Sequence, residues 1–157
     1  MIKIAVGGIL ELRGLTMIEV LGFPNQPGHA GKILTLLGYA DVNLHFIAEG
    51  ADSQGLANIT ICVNPEHAKD ALDIIHEYLH EQESVIVKSR KNISILTVYG
   101  PHFREKPAIC GNMCYILGKA NVNILGISTS ISSVCSIIAD EDFDKAYQNL
   151  LSVFTLP

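Results

Sequence analysis

The sequence predicts an α+β fold of two βαββαβ units, each an antiparallel four-stranded sheet with both helices on one face. Three observations predict this fold. The chain repeats itself internally, each copy passes through strand and helix periodicity in the same order, and the second copy is one strand short. The missing strand indicates that the first unit is inserted in the second.

The internal repeat appears when residues 27–47 are aligned with residues 107–127 at a shift of 80 residues. Eight of these 21 pairs are identical, where chance would give about one or two. A second match, at a shift of 75, relates residues 58–72 to residues 133–147. The chain is therefore interpreted as a tandem duplication.

The first copy contains six predicted elements. In chain order they are strand 17–22, helix 29–40, strands 42–48 and 56–63, helix 65–82 and strand 85–87. Apolar side chains at helical spacing predict the first helix, and Gly38 followed by Asp41 marks its end. Pro65 and Glu66 are typical of the first turn of the second helix.

The second copy ends with a predicted helix over residues 141–154 and lacks a closing strand. We expect residues 2–6, which have no place in the first copy, to supply that edge strand. The predicted first domain is residues 16–90. The predicted second domain is residues 1–15 plus 91–157, with the N-terminal strand completing its sheet.

Composition and charge exclude several classes of protein. Charged residues make up 17% of the chain against about 25% in an average soluble protein, which favours a dimer or higher oligomer that hides surface. A net charge of -5 argues against nucleic acid, and the basic residues 88–91 are interpreted as a solvated connector. The apolar stretches are too short to span a membrane, and no cleavage site follows residues 4–10, so we expect a cytoplasmic protein with reduced core cysteines.

Two motifs offer other chemistry. His76, Glu77 and His80 satisfy H-E-x-x-H, which on a helix places two zinc ligands and a general base on one face. A zinc hydrolase is therefore a remote alternative, with a distant third ligand such as Glu105. The Gly31-Lys32 pair lacks the other residues of a phosphate-binding loop.

Several segments together resemble the paired ACT domains of aspartokinase regulatory regions, which have a ferredoxin-like fold. The segments that carry this resemblance are residues 24–30, 40–44, 120–124, 127–130 and 140–146. In that family the first ACT domain lies inside the second, which agrees with the insertion argued above from the missing strand.

The resemblance implies a non-catalytic regulatory module with no metal, cofactor or catalytic residue. Such a module binds a free amino acid, of the lysine or threonine type, at an interface between ACT units and allosterically controls an aspartokinase-like catalytic subunit. The effector-binding residues it implies are Asn25, Gln26, Pro27, Gly28, His29, Ala30, Glu49, Asn121, Asn123 and Ile124. Gly28 lets a ligand approach the backbone, and the free N–H groups of the following helical turn suit a carboxylate.

This chain departs from the family pattern at three positions. Asn25 stands where the family usually has Asp, which removes a charge contact to a ligand ammonium group. Ala108 replaces the family glycine in the second loop, and Ile131 replaces an acidic residue, so we expect that loop to be structural. An oligomerisation scaffold that binds no ligand remains the main alternative function.

Overall fold

The computed structural model describes residues 2–101 and 103–157, and the predicted fold class is confirmed. The strands and α-helices are, in chain order, β1 (Ile4–Ala5), β2 (Gly8–Pro24), α1 (His29–Tyr39), β3 (Phe46–Ala51), β4 (Leu56–Val63), α2 (Ala68–Tyr78), β5 (Ile86–Tyr99), α3 (Ile109–Lys119), β6 (Gly126–Thr129), β7 (Ser133–Ala139), α4 (Phe143–Val153) and β8 (Phe154–Thr155). Short 3₁₀ turns precede three of the helices, at Pro65–His67, Phe103–Glu105 and Asp140–Asp142.

The chain divides into two compact units. One is Gly14–Lys91, here called the inserted unit, and the other is Asn92–Pro157 together with the chain up to Arg13, here called the split unit. The two long strands, β2 and β5, each cross this division. The first residue beyond each crossing has left-handed backbone, with φ of 68° at Gly14 and 56° at Asn92.

The inserted unit has the strand order β3-β4-β2-β5. Strand β4 pairs antiparallel with β2 and with β3, and a bulge lies between Leu21 and Phe23. Alternate residues of β2 and β4 pack with residues of both helices in one cluster, which places the two helices on the same face of the sheet. Fully buried members of that cluster are Ile18, Ile33, Leu37, Ile59, Ile61 and Ile75.

The split unit repeats this arrangement with the strand order β2-β5-β7-β6. Its core joins alternate residues of β5 and β7 to the buried faces of α3 and α4. Fully buried members are Leu96, Val98, Met113, Leu117, Ile138 and Leu150. Each unit is therefore a two-layer α+β structure with its own apolar core.

The prediction that residues 2–6 supply the missing edge strand is wrong. Ile4–Ala5 instead forms a separate two-stranded parallel pair with Phe154–Thr155. The first half of β2 supplies the fourth strand of the split unit. At the start of β2 the chain lies against Tyr99, where a Cβ on Gly8 would be 2.6 Å from the Tyr99 hydroxyl oxygen, so a larger residue here would displace the Tyr99 side chain.

Other predicted boundaries shift by a few residues. The hairpin begins at Phe46 rather than residue 42, because the Val42 amide still donates to the Leu37 carbonyl (3.0 Å). Helix α2 ends at Tyr78 rather than residue 82. Residues 88–91 are exposed as predicted, but they lie within β5 and do not form a connector.

The four cysteines are free thiols, of which Cys62 is buried and the other three are partly buried. Burial raises the pKa of the Cys62 thiol to about 12. Among the helices of the described residues, none has the length and apolar content that crossing a membrane requires.

Candidate functional site

The loop between β2 and α1 is a tight strand-to-helix turn. The Gln26 amide donates to the Pro24 carbonyl (3.0 Å), and the His29 amide donates to the Gln26 carbonyl (3.3 Å). Gly28, the residue before α1, has φ 89° and ψ -12°. An L-residue adopts this left-handed conformation only at a cost, which accounts for glycine here.

The N-terminus of α1 is open. In the part of the chain that the structure describes, no side chain caps it, and its first turn carries no acidic residue. The first N–H groups of a helix lack intrahelical partners and lie at the positive end of the helix dipole. This end of α1 therefore has the donors and the polarity to bind a carboxylate.

Three side chains form a hydrogen-bonded chain over the loop. His29 Nε2 lies 3.2 Å from Gln26 Oε1, and the Tyr78 hydroxyl lies 3.1 Å from His29 Nδ1. Because Gln26 Oε1 can only accept, Nε2 carries a proton and donates to it. In the neutral imidazole, Nδ1 then accepts from Tyr78, so both ring nitrogens have partners and the ring is fixed over the loop.

A pocket of about 130 Å³ opens at this turn. It is lined by Gln26, Pro27, Gly28, His29, Lys32 and Tyr78. A larger, mostly apolar cavity of about 600 Å³ continues from it along α1, lined by Gly28, Gly31, Lys32, Thr35, Leu36 and Tyr78. The first pocket offers a cation and helix N–H groups, and the second offers apolar surface, so together they suit a small molecule with an acidic end and an aliphatic part.

The structure brings together four of the six predicted loop residues, Gln26 to His29, in the lining of the smaller pocket. Asn25 lies exposed on the same loop, and Ala30 packs against the core of the inserted unit. Tyr78 was missed by the sequence analysis. It stands in the middle of the H-E-x-x-H motif, and the fold brings it to His29 across 49 residues of chain.

Glu49 does not join this pocket within the chain. It lies on β3 in register with Ile59, which pairs in turn with Val20 of β2. Two strand spacings, about 10 Å, therefore separate it from β2. Glu49 also lies several residues along the sheet from Pro24, which is in register with Leu56.

Asn121, Asn123 and Ile124 belong to the split unit, in the connection between α3 and β6. Asn121 has φ 57° and ends the helix, with its amide donating to the Gly118 carbonyl (3.0 Å). Asn123 is exposed, and Ile124 packs against the core of that unit. Contact of these residues with a ligand stays a prediction.

The equivalent loop of the split unit is built differently. Ala108 precedes α3 with φ -82° and is right-handed, unlike Gly28. Phe103, from the 3₁₀ turn in this loop, packs against the core of the unit, and Lys106 Nζ donates to the Ala5 carbonyl (2.8 Å). These contacts occupy the loop with the chain's own side chains, in agreement with a structural role.

The zinc alternative requires His76 and His80 on one helical face. Helix α2 ends at Tyr78, and His80 lies in the following turn, where its Nδ1 is 2.7 Å from the Glu77 carbonyl oxygen. Over residues 2–101 and 103–157, no group of three His, Cys, Asp or Glu side chains is placed to hold a metal ion. The helical arrangement that the motif needs is not formed.

Comparison with known proteins identifies the repeated unit. A family model described as an ACT domain matches residues 18–79 and 96–154. An aspartokinase from Mycolicibacterium smegmatis is 26% identical over 151 residues, which cover 95% of this chain and 36% of that protein. The chain thus spans about a third of the length of this curated relative.

Two solved structures have the same fold. The ligand-free regulatory subunit of aspartate kinase from Thermus thermophilus superposes with a TM-score of 0.85 at 23% identity, over 96% of this chain and 99% of that chain. Aspartate kinase from Synechocystis superposes with a TM-score of 0.88 at 20% identity, over 98% of this chain and 27% of that chain. The repeated unit thus occurs both in a separate subunit and within a longer kinase chain.

Proposed function

The chain belongs to the ACT domain family, and from this membership we propose that it is a regulatory rather than a catalytic module. It binds a free amino acid of the lysine or threonine type at an ACT–ACT interface and thereby controls an aspartokinase-like enzyme. The observation that carries the proposal is the open N-terminus of α1 beside left-handed Gly28 and the pocket lined by Lys32 and Tyr78.

The two ends of an amino acid find different partners in this loop. The α-carboxylate accepts from the first N–H groups of α1 and pairs with Lys32. The α-ammonium group requires acceptors, which the side-chain oxygens of Asn25 and Gln26 supply. The aliphatic part of the ligand lies along the apolar cavity beside Leu36.

The remaining predicted residues complete the site from a second ACT unit. Glu49, Asn121, Asn123 and Ile124 do not line the pocket within the inserted unit. In this proposal they contact the same ligand in a dimer or higher oligomer. A ligand shared by two units binds the associated state more tightly than the separate units, and this difference in affinity is what shifts the partner enzyme.

The partner in this proposal is an aspartokinase catalytic subunit in the cytoplasm, and the pathway is amino-acid biosynthesis. Two similarities support it: the M. smegmatis aspartokinase in sequence, and the T. thermophilus regulatory subunit in fold. The competing function, an oligomerisation scaffold without a ligand, shares the fold but makes no use of the open helix end.

A matched pair of glycine variants tests the loop by isothermal titration calorimetry with lysine and threonine. Gly28 (φ 89°) and Gly55 (φ 76°) are both left-handed, and a Cβ on either meets no atom within 4 Å. Gly28→Ala and Gly55→Ala should each cost about 1 kcal/mol of stability. Only Gly28→Ala also places a methyl group where the ligand approaches, so we expect it alone to lose affinity, by tenfold or more.

Equal affinities for the two variants would contradict the assignment of the site to this loop. A stability measurement on both variants checks that the comparison is fair, because their unfolding free energies should fall by similar amounts.

A further inference from the structure

Another pocket of the inserted unit, of about 420 Å³, lies at the start of α2, away from the β2–α1 loop. It is lined by Thr16, Pro65, Ala68, Lys69, Leu72, Asp73, His76, Ser89 and Lys91. The proposed function does not use this pocket, and of its lining residues only His76 belongs to the H-E-x-x-H motif. The internal duplication allows this place to be compared with its counterpart in the split unit.

The helices of the two units correspond at a constant shift of 75 residues. Pro65–His67 and Ala68–Tyr78 match Asp140–Asp142 and Phe143–Val153. Pro65 therefore corresponds to Asp140, and Ala68 corresponds to Phe143.

The strands correspond through their register. Thr16 pairs with Val63, and Ser94 pairs with Ile138, which lies 75 residues after Val63. Thr16 and Ser94 therefore occupy equivalent positions. Gly14 and Asn92, both left-handed, lie two residues before Thr16 and Ser94. Arg13 and Lys91 lie one residue further back and are equivalent in the same way.

In the split unit this place is filled by the chain itself. Ser94, a buried residue, donates its hydroxyl proton to Asp140. Arg13 donates to both oxygens of the same carboxylate, at 3.0 and 3.3 Å. The Arg13 guanidinium also lies 4.1 Å from the centre of the Phe143 ring, so a carboxylate and an aromatic ring together occupy the position.

The inserted unit keeps a hydroxyl and a cation at these positions but lacks the carboxylate and the aromatic ring. Thr16 replaces Ser94 and Lys91 replaces Arg13, whereas Pro65 has no carboxylate and Ala68 has no ring. By this equivalence, the pocket lies at the positions that Asp140 and Phe143 occupy in the other unit.

The Thr16 hydroxyl is a donor at the pocket that the described residues leave unused. Thr16 is 2% exposed and lines the pocket, yet no hydrogen bond of its hydroxyl is found among the described residues. The described chain has no fully buried side-chain polar atom without a partner, so this oxygen keeps contact with the open space of the pocket. A hydroxyl that faces a pocket without a protein partner can donate a hydrogen bond to a ligand oxygen there.

The charge at the pocket favours an anion. Lys69 is paired with Asp73 at 2.7 Å, which neutralises both groups. Lys91 has no ion pair among the residues that the structure describes and leaves one positive charge at the rim. The acidic residues Glu66 and Asp70 in the first turns of this helix are not among the lining residues.

We propose that this pocket binds a small carboxylate, whose carboxylate group takes the place that the Asp140 side chain occupies in the split unit. The ligand accepts a hydrogen bond from Thr16 and pairs with Lys91. The site does not depend on the β2–α1 loop, so its failure would leave the proposed function untouched.

The test is a titration of the ¹⁵N-labelled full chain with succinate, followed by NMR. We expect saturable shifts at the amides of Thr16, Lys69 and Lys91. Thr16→Val, which keeps the shape and removes the hydroxyl, should weaken binding at least tenfold. The double variant Pro65→Asp with Ala68→Phe installs the groups of the split unit and should abolish binding, whereas Lys3→Ala, the loss of an exposed charge in the split unit, should leave it unchanged.

Three results would overturn the proposal. These are the absence of saturable shifts, succinate affinity unchanged in Thr16→Val, and inorganic phosphate binding at this place as tightly as succinate. Because the double variant alters two packed positions, its unfolding midpoint is measured first. If it does not fold, Thr16→Val alone decides the question.

Discussion

At the scale of single residues, the two units handle a buried hydroxyl differently. Ser94 is buried against the Asp140 carboxylate, which Arg13 also contacts, and this partnership raises the pKa of the Arg13 guanidinium above its ordinary value. Asp144 also pairs with Arg13, at 3.8 Å, but its side chain is 92% exposed. The same cation therefore has one structural partner and one solvated partner.

This contrast gives a stability prediction. Asp140→Ala leaves the Ser94 hydroxyl without its acceptor and should lower the free energy of unfolding by about 1–3 kcal/mol. Asp144→Ala removes only a solvated pair and should have no measurable effect. Urea unfolding of the two variants checks this prediction. Equal losses in the free energy of unfolding would show that the Asp140 hydrogen bonds stabilise the fold no more than the solvated Asp144 pair does.

Cys62 gives a prediction about pH. The folded thiol has its pKa raised from 9.0 to about 12 by burial. Above pH 9 the unfolded chain releases the thiol proton while the folded chain keeps it, so this group makes the free energy of unfolding fall as pH rises toward 12. Below pH 9 both states keep the proton, and the stability contribution is fully present.

The measurement compares wild type with Cys62→Ala. The slope from one such group is about 1.4 kcal/mol per pH unit, so the stability advantage of wild type should shrink by about 2 kcal/mol between pH 8 and pH 10.5. Other titrating groups are common to both chains and cancel in the difference. A difference that stays constant over this range would mean that the thiol ionises as freely in the folded chain as in the unfolded one.

At the scale of elements, the long strand β2 is the main departure from the expected fold. Its first half, up to Arg13, belongs to the split unit, and its second half, from Gly14, belongs to the inserted unit. One continuous strand thus provides an edge for one sheet and a central strand for the other. The insertion of one unit in the other follows from this connection.

Hydrogen exchange tests this assignment. Because residues 9–13 pair with β5 along one side only, every second amide there should be protected, while the amide of Lys3 should exchange within the dead time of the experiment. If residues 2–6 were the edge strand instead, the pattern of protection would be reversed.

The elements that the sequence predicts best have one buried face. Strand β4 has the predicted bounds, since buried and part-exposed residues alternate along it as far as Ile61, and α1 differs by one residue at its end. The first half of β2 was not predicted, because all of residues 10–13 are exposed. Apolar and charged side chains follow one another there, and neither kind marks a buried face. Without a buried face, a strand leaves no period of two in the sequence.

The candidate sites depend on tertiary structure in the same way. The loop residues from Gln26 to His29 were predicted because residues 24–30 resemble a loop of the paired ACT domains of aspartokinase regulatory regions. Tyr78 reaches His29 from another helix, and Thr16 and Lys91 line one pocket from two different strands, so no local spacing in the sequence indicates either arrangement. The equivalence of Thr16 with Ser94, which relates this pocket to the split unit, follows only from the strand register in the structure.

At the scale of the whole molecule, the low charged fraction of 17% indicates surface that is covered in an oligomer, and the structure offers candidates for that surface. Large apolar side chains on α1 and α3 are exposed in the single chain, including Tyr39 at 84% and Tyr115 at 61%. Such surface suits the association of ACT units that the proposed function requires. The alternative of a ligand-free scaffold uses the same surface, so oligomer size alone does not separate the two functions.

The central claim is that the chain senses a free amino acid. The most direct test is thermal unfolding of the full chain in the presence of each L-amino acid, with the D-enantiomers as controls. At about one hundred times its dissociation constant, L-lysine or L-threonine should add about 2.7 kcal/mol to the free energy of unfolding and raise the midpoint, while the D-forms should not. If no amino acid raises the midpoint, the sensor account is contradicted and the scaffold remains.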